Sequence, residues 1–389
     1  TLHELGASYQ EQQQYDRALE LYQQALSLSY ALQQQPDFAS FDLVGTSLGK
    51  IGSLFAAQER AELAIVFYKS AINAYENIRG NYSETELASA SQFASVFLSK
   101  HEAEYRALAD LLLQQNRILE AQRVLDLLKV EELDRYFRDV RGNETTTGGV
   151  PNLAAEQQIE GGYQAILDRA VAMGIELTQL REKSDRTPKE EERLVELIKA
   201  QETIVADFNT FMASDEVAAL ISQLTPETRK PDLVDDLEDF LSIQDNLKAL
   251  NQNAVLLYPL ILDDRLELVL TTPDSPPIRR TVNVSKAQLA QAILAFRRAS
   301  SNPRADATIP AQQLYQWLIA PIEDDLKAAN AQTILYAPDG QLRYISLAAL
   351  HDGEKWLVER YRINHITATS LIDLDSQPPA ELKVLGGIY

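Results

Sequence analysis

Apolar residues recur at three- and four-residue intervals through the first 250 positions, the spacing of amphipathic helices. The pattern breaks at Gly142–Pro151, a Gly/Thr-rich stretch that reads as an exposed loop. Ala154–Glu182 and Pro188–Phe211 then read as two long helices. Thr187 is placed to cap the second and Pro188 to open it, which predicts an antiparallel hairpin. Near Asn251 the period changes. Ala254–Leu262 and Leu266–Thr271 are short runs rich in Val, Leu and Tyr, and Asp263-Asp264 marks a turn between them. Ile278–Val284 reads as a third strand. Ser285 is set to cap a helix running through Ala299, and Pro310 to open another through Ala329. Thr333–Tyr336, residues 361–366 and residues 383–385 read as further strands. Strands alternating with helices predict an α/β sheet with helical cover.

The helical part repeats itself. Gly6, Tyr9, Ala18, Tyr22 and Ala25 recur as Gly52, Phe55, Ala64, Tyr68 and Ala71, every pair 46 residues apart. A degenerate third copy spans Tyr105–Leu128, with Ala109, Leu112, Ala121, Leu125 and Leu128 in the equivalent places. Small residues at Gly6 and Ala18 would let two antiparallel helices approach closely, and Tyr22 and Ala25 would pack on the next pair. This Gly, aromatic, Ala, aromatic, Ala spacing resembles the tetratricopeptide (TPR) repeat, in a long-linker version. The alternative is a plain helical bundle with coincidental Ala and Tyr.

A second resemblance rests on Ile334-Leu335-Tyr336-Ala337-Pro338-Asp339-Gly340-Gln341-Leu342-Arg343-Tyr344-Ile345. That run leads into Leu347–Gly353, then Trp356–Tyr361 and Ser370-Leu371. Leu314–Ile319 and Pro321–Glu323 stand upstream. These segments resemble the first half of a CHAT domain, the caspase-like peptidase domain that bacteria attach to TPR arrays. Ser346 stands where that family usually has Pro. The resemblances together imply a multidomain chain: all-α TPR-like repeats at 1–130, a helical linker at 131–250, and the N-terminal part of an α/β caspase-like domain at 251–389. In the CHAT family a catalytic His followed by Gly lies after one apolar strand, and a catalytic Cys after the next. The resemblance places both beyond this sequence, whose two ends read as cuts through a longer protein.

Composition narrows the chemistry. The 389 residues include no Cys, so this chain offers no disulfide, no thiolate metal site and no thiol nucleophile. The longest apolar run, around Val255–Leu262, is far short of the ~20 residues a membrane helix needs. The net charge is −21. It is uneven: residues 251–389 hold 13 basic and 15 acidic side chains, residues 1–250 hold 23 and 42. This balance argues against generic binding to nucleic acid or anionic membranes, and the expected compartment is the cytoplasm.

The other polar candidates read as structural. Asp232, Asp235, Asp236, Glu238 and Asp239 lack the spacing of a Ca²⁺ loop and read as a solvated helix face. His351 reads as a turn residue and His365 as a sheet histidine, while His3 and His101 lie far apart. Ser346 and Ser370 lack the Gly-x-Ser-x-Gly context, and Gly49-Lys50 lacks the spacing of a phosphate loop. Trp317 and Trp356 lie on apolar faces. No metal and no cofactor is expected. The expected partner is a protein or peptide held by the first helix of each repeat, where the register from Gly6 and Gly52 puts Gln10, Thr46 and Ser53. The favoured reading is a fragment of a caspase-like cysteine peptidase regulated through its repeats, without the catalytic dyad. An interaction scaffold with an inactive CHAT-like domain is the second, and a repeat regulator with an unrelated α/β ligand-binding domain the third.

Overall fold

A computed structural model of the chain describes residues 1–32, 38–81, 91–137, 149–226, 243–250 and 252–366. The chain divides into two compact units, Thr1–Glu238 and Asp239–Tyr389.

The first unit is helical. It begins with α1 (Leu2–Glu11), α2 (Tyr15–Leu32), α3 (Phe38–Ala57), α4 (Ala61–Asn81), α5 (Ser91–Gln114) and α6 (Ile118–Phe137). They pack in sequence as hairpins α1–α2, α3–α4 and α5–α6, with α2 on α3 and α4 on α5. Every repeat residue expected inside is buried: Ala18, Tyr22, Ala25, Ala64, Tyr68 and Ala71, and Ala109, Leu112, Ala121, Leu125 and Leu128 in the third copy. The glycines explain the close approach. A Cβ on Gly6 would lie 2.4 Å from Tyr22 Cε1, and one on Gly52 would lie 3.0 Å from Tyr68 Cγ. The turn between the two helices repeats as well. Gln13, Glu59 and Asn116 all have left-handed backbones, with φ of 60°, 59° and 55°. The residue after each closes the turn by donating to the carbonyl five positions back: Gln14 to Tyr9 (2.9 Å), Arg60 to Phe55 (2.9 Å), Arg117 to Leu112 (2.7 Å). One helical hairpin therefore occurs three times, with the turn and the small residue in the same places; the buried ring of Tyr22 and Tyr68 is replaced by the buried Leu125 in the third copy.

Next come α7 (Ala154–Glu182), α8 (Pro188–Met212) and α9 (Asp215–Leu224). Thr187 caps α8 through a reciprocal bond with Glu190, and α7 and α8 form the expected hairpin. Helix α9 was not expected from the sequence; Ser214 caps it by accepting from the Val217 N–H at 3.2 Å. Helix α7 packs on the second helices α2 and α4. There Phe67 stacks on Tyr163 with ring centroids 4.8 Å apart, and Phe208 closes the cluster from α8.

Charges are buried at the same junction. Lys69 of α4 reaches Glu120 of α6 at 2.5 Å and Glu156 of α7 at 2.7 Å. Arg117 pairs with the same two carboxylates, at 2.5 and 2.6 Å. Two cations and two carboxylates balance, and this offsets the several kcal/mol per ion that desolvation costs. Burial alone would raise the Glu120 carboxyl, but the Lys69 and Arg117 charges outweigh it and bring it down to about 2.

Among the described residues the second unit holds a five-stranded mixed sheet in the order β3-β2-β1-β4-β5. The strands are β1 (Ala254–Ile261), β2 (Leu266–Thr271), β3 (Ile278–Val282), β4 (Thr333–Tyr336) and β5 (Arg362–His365). The β1–β2 and β2–β3 pairs are antiparallel, and β1–β4 and β4–β5 are parallel. Pro259 is tolerated in β1 because the ladder to β4 ends at Leu257, two residues earlier. One sheet face, with Val255, Leu257, Leu268, Leu270, Ile334 and Tyr336, packs on α10 (Lys286–Ser300) and α11 (Thr308–Leu318). Ser285 caps α10 through a reciprocal bond with Gln288, as expected. The single helix expected from Pro310 through Ala329 is instead broken. Ala320–Ile322 forms a 3-10 turn and α12 restarts at Glu323–Ala328, because Pro321 has no N–H to continue the ladder of α11. The strand expected at 383–385, the acidic set at 232–239 and residues 142–148 of the expected loop lie outside the described residues.

Candidate functional site

Two places carry polar side chains of functional interest, one in each unit. In the first unit the first helices of successive hairpins are joined by polar bonds. Gln10 donates from Nε2 to Ser53 Oγ at 3.1 Å, and its Oε1 accepts from the Tyr22 hydroxyl at 3.0 Å. On the other side of Ser53 stands the phenol of Tyr68, which burial pushes up to about 12. Tyr22, Gln10, Ser53 and Tyr68 thus form a polar joint between α1 and α3, and the two tyrosines are the equivalent residues of two repeats. Nearer the start of α1, His3 meets Ser47 Oγ at 2.8 Å. From α3 to α5 the link is His101 Nε2 to Asp42 Oδ1 at 2.7 Å, with the His101 ring stacked 3.9 Å from that of Tyr75.

The structure thus brings Gln10 and Ser53 together, both half-buried. Thr46 lies deeper: its side chain is 6% exposed and stands beside the Tyr75 phenol. The sequence register treated Thr46 as a face residue. The ring of Tyr75, admitted by Gly45, covers it: a Cβ at Gly45 would lie 2.2 Å from Tyr75 Cε1.

In the second unit the segment after β4 is tied down by buried polar groups. Asp339 is fully buried, and its Oδ2 accepts from the Ile261 N–H at 2.7 Å, fixing the Pro338-Asp339-Gly340 turn to the end of β1. Arg360 donates to the Tyr315 hydroxyl at 3.1 Å, Asp352 Oδ2 at 3.0 Å and Glu323 Oε1 at 2.8 Å. It links α11, α12 and the 352–359 turn. His351 is buried, its Nδ1 accepts from the Gly353 N–H at 3.0 Å, and Trp356 meets it edge-on at 4.7 Å. It is a turn residue, as expected. His365 ends β5 with Tyr336 edge-on at 5.3 Å, and burial lowers its pKa. The buried Glu267 is held by Arg265 and Arg279, each at 2.7 Å, and by the Thr281 hydroxyl at 2.8 Å. Burial raises its pKa and these bonds lower it by more.

Sequence reasoning missed Arg360, Asp339 and Glu267 as organising residues. A Pro-Asp-Gly turn and a lone acid in the apolar run of β2 were the available signals. Among the described residues no group of three His, Cys, Asp or Glu side chains is placed to hold a metal ion. Also among them, no helix is long and apolar enough to cross a membrane.

The family model described as CHAT domain matches residues 308–385, so a domain of this caspase-like family is present there. No curated protein and no solved structure matches the chain. The match opens at the first residue of α11. Strands β1–β3 precede it but share its sheet, since β1 pairs directly with β4.

Proposed function

We propose that this chain is the regulatory and N-terminal part of a TPR–CHAT protein, in which partner binding to the helical repeats controls a caspase-like cysteine peptidase. Its three parts are TPR-like repeats at 1–130, a helical linker at 131–250 and the start of the caspase-like domain at 251–389. One observation carries the reading: a thrice-repeated helical hairpin and a CHAT-matching segment stand in the same chain. The partner is a protein or peptide held along the first helices. Gln10 and Ser53 offer an amide and a hydroxyl there, suited to an extended or helical segment bound through hydrogen bonds. Thr46 contributes by fixing Tyr75 behind that face.

Peptide hydrolysis by this route needs a thiolate, and the chain has no Cys. The nucleophile would come from the part of the protein outside this sequence. The same observation supports the second reading, a scaffold whose CHAT-like domain does not cleave.

The partner face is tested by affinity capture with the chain and with the Gln10→Arg/Ser53→Arg double variant. The acidic excess of residues 1–250 favours a basic or neutral partner, held less well as salt rises. A partner that the double variant no longer holds supports the assignment. Equal retention of every captured protein by the double variant overturns it.

A further inference from the structure

Residues Gly149–Leu153 lead into α7 without helix or strand of their own, yet their main chain is held almost atom by atom. Arg123 Nε donates to the Gly149 carbonyl at 2.5 Å. Asn73 pairs with Val150 on both sides: its Oδ1 accepts from the Val150 N–H at 2.7 Å, and its Nδ2 donates to the Val150 carbonyl at 3.0 Å. Lys69 Nζ donates to the Pro151 carbonyl at 2.6 Å. Pro151 has no N–H to satisfy, and the Leu153 N–H goes to Glu156 Oε2 at 2.8 Å. The Val150 side chain is fully buried. Gly149 has φ +62°, and a Cβ there would lie 2.3 Å from Asn73 Oδ1. A primary amide clamps one residue's N–H and C=O and cations sit on the neighbouring carbonyls, so the segment is held chiefly through its main chain, the group through which an extended peptide gains affinity in β-augmentation.

We propose that the cleft between α4 and α6 is a binding site for an extended peptide segment, occupied in cis by Gly149–Leu153, and that this strap can leave without unfolding the hairpins. The strap is held by side-chain bonds to its main chain and by one buried apolar side chain. The hairpins are held by a continuous apolar core, and such differences set the order of local opening. The groups that hold the strap say what else the cleft would accept. Glu156 stays with α7, so Lys69 and Arg117 keep both carboxylates, and what the strap gives up is the Asn73 amide and one Lys69 N–H, both of which engage main-chain atoms. The preferred occupant in trans is therefore an extended segment held through its main chain, with a small apolar side chain at the place of the buried Val150. This inference stands apart from the peptidase reading and from the first-helix face.

The chain has no Cys, so Val150→Cys places a unique thiol in the cleft, and Ala71→Cys in a separate variant places a control in the core of α4. Below the unfolding transition, the thiol at position 150 is expected to react with a thiol reagent at least about tenfold faster than the thiol at position 71, with little urea dependence. Adding Asn73→Ala should speed labelling at position 150 further and leave position 71 unchanged. In a second arm Gly149→Val, which cannot keep the left-handed turn, empties the cleft. A fluorescent peptide of residues 149–153 should then bind at least about tenfold more tightly than it binds the unaltered chain. The same peptide with Val150→Asp should bind more weakly. Equal labelling at positions 150 and 71 with the same urea dependence overturns the inference. So does a folded Gly149→Val chain that binds the peptide no better than the unaltered one; should that variant not fold, the labelling arm decides.

Discussion

A glycine inside a helix ordinarily costs about 1 kcal/mol relative to alanine. Gly6 and Gly161 show how local packing reverses that sign. Nothing lies within 4 Å of a Cβ at Gly161, whereas one at Gly6 meets the buried Tyr22 ring at 2.4 Å. Gly161→Ala should therefore stabilise by about 0.5–1 kcal/mol, while Gly6→Ala should destabilise by about 1–3 kcal/mol through overpacking. Urea midpoints of the two variants check this, and a gain at both positions would contradict the packing register. The register could be read from the sequence because close helix approach admits few residue types, so the same small and aromatic positions recur. Thr46 could not be placed that way. Its burial depends on where Tyr75 points, and Tyr75 belongs to no repeated position identified in the sequence. Lys69, Arg117, Glu120 and Glu156 were equally silent: charged residues on amphipathic helices read as surface, and partners up to 87 positions apart leave no local signal.

Among the elements, the Thr187-Pro188 start of α8, the Asp263-Asp264 turn and the Ser285 cap were all legible, because each signal acts within a few residues. Pro321 carries the same kind of signal for the break of α11, but the apolar spacing of Leu314, Leu318, Ile322 and Leu326 runs on across it and masks the break. Ser214-Asp215-Glu216 ahead of α9 is a cap signal of the same sort. The inter-helix turns at Gln13 and Glu59 were hidden because no Gly marks their left-handed residue. What joins the elements is the buried charge cluster, and its pH dependence has a definite sign. A carboxylate held below its ordinary value adds stability above that value and loses it as pH falls toward the folded one. For Glu120 the window runs from 4.5 down to about 2. The urea midpoint of the helical unit should hold steady from neutral pH to about 5, then fall, and Glu120→Gln should flatten the fall. Removing one charge outright leaves its partners buried and uncompensated, so Glu156→Gln should cost about 3–5 kcal/mol at pH 7. A loss below about 1 kcal/mol would show that the cluster is solvated rather than buried.

At the scale of the whole molecule, an acidic helical repeat region precedes a nearly neutral α/β unit. The change of charge and of hydrophobic period falls near residue 250, and the two compact units meet at Glu238 and Asp239. The sheet order was not readable, because pairing of β1 with β4 joins residues about 80 positions apart across three intervening helices. The CHAT match covers only the later part of that sheet, yet β1 lies at its centre, so the strands before residue 308 belong to the same folded unit. The central claim is that the repeats govern a thiol peptidase whose nucleophile lies outside this chain. Peptide-library cleavage by the full-length gene product, with captured partner present and absent, tests it most directly, with this chain alone and the Gln10→Arg/Ser53→Arg variant alongside. The expected result is no cleavage by this chain, partner-dependent cleavage by the full-length protein that thiol alkylation abolishes, and no response to partner in the double variant. Cleavage by this Cys-free chain, or a full-length protein that stays inactive with its partner bound, would contradict it.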